Sequence, residues 1–103
     1  MAKNSSTAAA APFYDLRLYV AGLSPHSQRA IKTVTAVCHE HLAGRYDLQI
    51  IDIYQQPVLA KEEQIIAVPT LVKHLPRPLR KLIGSMADAE KVLVGLDLQP
   101  QKS

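Results

Sequence analysis

The chain has 103 residues, 48% of them hydrophobic and 20% charged, with a formal net charge of +3. That is one domain able to bury roughly 65% of its unfolded surface, which excludes a largely disordered chain. A single cysteine, Cys38, rules out a disulfide framework, a four-cysteine zinc site and an intramolecular CxxC redox couple.

Residues 1–12 are polar and alanine-rich and predict a disordered leader; residues 13–98 form the domain, and 99–103 a polar tail. The alanine block is too short and too weakly apolar for the core of a signal peptide, so a cytoplasmic location is expected. Arg17, Pro25 and Arg29 break the longest apolar stretch, well short of the ~20 residues of a membrane span. The basic residues are spread along the chain, Trp is absent and aromatics are 5%, which gives nucleic acid no stacking platform. Neither nucleic acid nor membrane is an expected partner.

Tyr14 to Val20 alternates Leu16, Leu18 and Val20 with Asp15 and Arg17, the period of a half-buried strand. Ser24-Pro25 reads as a helix N-cap followed by the first helical residue. Ala30, Ile31, Val34, Val37, Cys38, His41 and Leu42 then recur at threes and fours, and Gly44 supplies a left-handed end. Tyr46 to Tyr54, apolar on both faces toward its end, predicts a strand covered on both sides, as in parallel sheets. Strand, helix and strand make a right-handed βαβ unit.

The second half is less uniquely patterned. Gln56-Pro57 predicts a helix through Ala67, with Leu59, Ile65 and Ile66 inward and Lys61, Glu62 and Glu63 outward. Leu71 to Leu75 predicts a strand, Pro76-Arg77-Pro78 a stiff turn, and Leu79 to Ile83 a returning strand. Ser85 to Asp88 has the form of a capping box for a last helix running toward Leu98. Leu79 to Ile83 also fits helical spacing, and Val92 to Leu96 is β-branched enough to be a strand.

The order βαβαββα, with Val68-Pro69-Thr70 before the third strand, resembles the thioredoxin fold, in which such a proline is cis and faces the active-site helix. At the place of the redox cysteines stands Ser24-Pro25-His26-Ser27. The spacing is kept, but a hydroxyl does not attack a disulfide. Cys38 lies on the apolar side of its helix, as a buried, inert thiol does. His26 has no acid at a recognisable spacing to make a nucleophile–base pair. His39 and His41 flank Glu40 two apart, which is not the spacing of metal ligands on one helix face. His74 has no identifiable partner, and the isolated glycines form no phosphate loop. No catalytic residue, cofactor or metal is expected. The rival reading is a thioredoxin-fold glutathione-binding or redox-related protein, with Val68-Pro69-Thr70 as its binding segment.

Six ordered blocks carry a closer resemblance: Leu18-Tyr19-Val20-Ala21-Gly22, Ala30-Ile31-Lys32-Thr33, Ile51-Asp52, Val68-Pro69-Thr70-Leu71, Arg80-Lys81-Leu82-Ile83-Gly84, and Val92 to Leu98. From about Tyr14 to Leu98 the chain resembles the KaiB family of circadian-clock proteins. The resemblance implies a non-enzymatic regulator that docks on the ring of KaiC, a hexameric ATPase and autokinase, and modulates its phosphorylation state. It also implies two folds of the second half. A ground state, a dimer or tetramer, converts to the thioredoxin-like form that binds the ATPase. Pro69, Pro76, Pro78, Gly95 and Asp97 are the implied fold-switch residues, and Gly95→Ala is expected to favour the thioredoxin-like form. Arg29, Asp47, Gln49 and Lys73 are the implied partner-binding residues. Clock members typically carry a small residue and a lysine where this chain has Asp47 and Gln49, and Arg77 interrupts their proline triplet. These departures suit a KaiC-like partner in stress adaptation as well as one in a clock.

Overall fold

The computed structural model describes residues 12–84 and 86–98; the sequence-based leader, Pro12 excepted, the Ser85 cap and the tail lie outside the described residues. The elements are β1 (Tyr14–Val20), α1 (Pro25–His41), β2 (Tyr46–Asp52), α2 (Pro57–Glu62), β3 (Thr70–Leu75), β4 (Arg80–Ile83) and α3 (Ala89–Gly95). They form one four-stranded sheet in the order β2-β1-β3-β4, with β1 and β2 parallel and the other pairs antiparallel. The expected order βαβαββα is the observed one. Among the described residues no helix is long and apolar enough to cross a membrane.

The alternation in β1 divides the core. Leu16, Leu18 and Val20 face α1 and α3, packing with Ala30, Val34, Val37, Cys38, Leu71, Val92, Leu93 and Leu96. Each fully buried leucine or valine contributes about 1.5–3 kcal/mol. Tyr19 faces the other way, into a smaller cluster with Ile51, Val72 and Ala60 of α2. The sheet is thus fully covered on one face and only partly on the other.

Four local expectations need correction. The second helix stops at Glu62 rather than Ala67, because Gln64 adopts φ 59°. Its N–H bonds Lys61 O and the next N–H bonds Ala60 O, the left-handed C-terminal closure usually made by glycine. Ile66, expected inward, is therefore 89% exposed. The last helix starts at Ala89, capped by the Asp88 carboxylate on Glu90 N–H at 2.9 Å, and ends at Gly95. Finally, β2 is an edge strand, not one covered on both faces, and only its Ile51 is buried.

Gly95 ends α3 against the Leu82 side chain. A Cβ there would overlap Leu82 Cδ2 and stand 2.6 Å from its Cγ, so an alanine requires the Leu82 side chain to move. The roughly 0.5–1 kcal/mol gained by removing a helical glycine is opposed by this repacking.

Candidate functional site

The β1–α1 junction is built by serine hydroxyls. Ser24 caps α1: its Oγ accepts the Ser27 N–H at 3.2 Å. Its hydroxyl bonds Ser27 Oγ at 2.8 Å, and Ser27 Oγ accepts the Ala21 N–H at 3.0 Å. Ser27 is 1% exposed, so this network is internal and locks the helix start to the end of β1. The cis Val68–Pro69 peptide lies at the same end of the sheet, since Thr70 pairs with Tyr19. Thr70 Oγ1 is already committed to Ala67 O at 2.5 Å. Cys38 is fully buried in the core, and burial pushes its thiol up to about 11, far from a reactive thiolate at neutral pH.

Of the four sequence-derived partner-binding residues, three are exposed and Lys73 is not. Arg29 is exposed on α1. Asp47 and Gln49 are exposed on β2, in register with Asp15 and Arg17 and on the sheet face opposite α1. Lys73 is 1% exposed and is not available to a partner in this arrangement. Alternation puts it on the same face as Leu71, toward α1 and α3. There its Nζ donates to Pro76 O at 2.7 Å and lies 4.0 Å from Asp97 Oδ2.

Lys73 instead gathers two of the fold-switch residues. Asp97, at φ 61°, closes the C-terminus of α3: its N–H bonds Val94 O, and the Leu98 N–H bonds Leu93 O. A carboxylate at a helix C-terminus opposes the helix dipole. Lys73 and Arg80, whose Nε lies 3.1 Å from Asp97 Oδ2, compensate it. Sequence reasoning missed Arg80, because nothing local joins it to Asp97. Leu75–Pro76 and Arg77–Pro78 are also cis and shape the β3–β4 turn beside this cluster.

A second polar centre forms around Glu63, which the helical spacing places outward. Glu63 Oε1 accepts hydrogen bonds from Tyr19 Oη at 3.1 Å and His74 Nε2 at 2.7 Å, with Arg17 at 3.6 Å. Burial pushes the Glu63 carboxyl up, but the His74 and Tyr19 bonds and the charges of His74 and Arg17 outweigh it and hold it below its ordinary value. A carboxyl lowered on folding stabilises the protein above its unfolded value, near 4.3, and that contribution is lost as pH falls through its folded value. Thermal unfolding across pH should therefore show wild type more stable than Glu63→Gln at pH 6. The gap should shrink as pH falls below about 4. A pH-independent gap would contradict this role of the charge.

These features define a thioredoxin-like scaffold whose first helix is started by two internally bonded serines. The germline-specific thioredoxin Deadhead of Drosophila melanogaster superposes with a TM-score of 0.68 at 17% identity, covering 82% of this chain and 79% of that one. The N-terminal domain of Synechococcus elongatus SasA does so at 0.67 and 26% identity, over 99% of this chain and 100% of that domain. The KaiB domain profile matches residues 17–98. The circadian clock oscillator protein KaiB of Microcystis aeruginosa is 53% identical over 85 residues, 82% of either chain. This chain belongs to the KaiB family of circadian-clock proteins.

Proposed function

We propose that this protein is a non-enzymatic, cytoplasmic regulatory module that docks on a KaiC-like hexameric ATPase and autokinase and modulates its phosphorylation state. The match to the KaiB domain carries this reading. It is supported by a scaffold in the thioredoxin-like order, the form the family resemblance assigns to ATPase binding, with Ser24 and Ser27 consumed in internal bonds. Residues 13–98 carry the binding. A homo-oligomeric ground state exchanges with this fold, and Pro69, Pro76, Pro78, Gly95 and Asp97 set the balance. The cluster of Lys73, Asp97 and Arg80 favours the arrangement described above.

The contact surface is Arg29 on α1 together with Asp47 and Gln49 on the exposed edge β2. Asp47 stands directly beside Asp15, and among the described residues neither carboxylate has an ion-pair partner. Like charges in register are mutually repulsive, so this edge accepts a cationic group of the partner and rejects an acidic one. The test is co-purification and titration against the KaiC-like ATPase of the same organism, with the ring's phosphorylation followed. Arg29→Glu and Asp47→Lys should each weaken binding about tenfold or more, while Glu90→Lys on α3 should not. Unchanged binding in both variants would show that the ring docks elsewhere; no binding to any such ring would remove the reading itself.

A further inference from the structure

Residues 57–67, comprising α2 and its exit, are attached to the sheet in an unusual way. Among the described residues, every backbone–backbone hydrogen bond they make outside the helix closes within the segment: Glu63 to Leu59, Gln64 to Lys61 and Ile65 to Ala60. Gln56, at the N-cap, makes no side-chain capping bond. Only Ala60 of α2 is buried, and an open pocket of about 140 Å³ at the exit is lined by Ile53, Ala60, Ile65, Ile66, Ala67 and Val68. Apolar packing therefore holds this segment weakly.

Beyond the packing of Ala60, Leu59 and Ile65 on the sheet, its polar attachment runs through a single residue. Arg17 and Tyr19 from β1 and His74 from β3 converge on the Glu63 carboxylate, and Lys81 from β4 donates to the Glu63 carbonyl at 2.6 Å. Both ends of the segment have firm anchors. Asp52 Oδ1 accepts the Gly22 and Tyr54 N–H groups at 3.2 and 2.9 Å, and Thr70 Oγ1 holds Ala67 O.

We infer that residues 57–67 are a strap, latched by Glu63, which unfolds locally as one cooperative unit between these anchors and uncovers Tyr19, Ile51 and Val72 while the rest of the fold stays intact. Local opening of this kind is expected where backbone bonds do not cross to the neighbouring element.

Native-state amide hydrogen exchange on the full chain tests the strap, because two substitutions must separate. Glu63→Gln removes the latch from the closed state and should speed exchange at Glu63, Gln64 and Ile65 about tenfold. Val34→Ala truncates the core on the opposite face, present in both closed and strap-open states. It should speed the slowest β1 and α1 amides roughly thirtyfold and change the strap amides less than about twofold. If Val34→Ala accelerates strap amides as much as β1 amides, the segment opens only by global unfolding and the inference is wrong. Indifference of the strap amides to Glu63→Gln would equally overturn the latch. Should Val34→Ala not fold, wild type in a low-urea series replaces it: strap amides should show almost no urea dependence, and a slope equal to that of the β1 amides would refute the strap.

Discussion

Replacing Ser24 and Ser27 together by cysteine should give a protein that reduces insulin in the presence of dithiothreitol. The hydroxyl oxygens are 2.8 Å apart at the N-terminus of α1, so the paired sulfurs need only a small approach to reach a bond of about 2.05 Å. Position 24 is half-buried and can attack, whereas position 27 is buried and can resolve the mixed disulfide. The helix terminus and the intervening His26 lower a thiol's pKa at this place. A rate roughly tenfold or more above the wild-type protein is expected, since only a thiolate exchanges with a disulfide. The single variant Ser24→Cys should stop at a mixed disulfide. A folded double variant with no turnover would mean that more than two side chains separates this scaffold from a redox enzyme. Turnover by wild type that survives Cys38→Ser would remove the non-enzymatic reading.

Lys73→Ala should lower stability by about 3 kcal/mol, from the lost aliphatic stem and the lost charge-assisted bond to Pro76 O. The loss stays below that of a fully buried ion pair, because Asp97 is half exposed and retains Arg80. For a domain of this size the melting temperature should fall by on the order of 15 °C, measured by circular dichroism. Lys73→Met keeps the stem and should recover about half of the loss. A shift within about 0.5 kcal/mol for Lys73→Ala would place the ammonium in solvent instead.

What could be read directly from the residue order was local in origin. Alternation in β1, the threes and fours of α1, and the Ser24-Pro25 start each depend on neighbours within about one turn or one pleat, so their signals survive in the sequence. The α2 boundary did not show, because a glutamine rather than a glycine takes the left-handed position at φ 59°. The ambiguity at Val92 to Leu96 was decided by burial: Val92, Leu93 and Leu96 reach the core together only as a helix packed on α1. For Lys73 the alternation with Leu71 was legible, but a lysine's charge argued for the surface. Only the closing of the β3–β4 turn and the end of α3 over it supplies the acceptors that let it stay buried. Glu63 is the extreme case, since Tyr19 lies 44 positions away and His74 belongs to a different strand. A carboxylate's partners are set by which strands the sheet places side by side, and that is decided by the collapse of the whole chain.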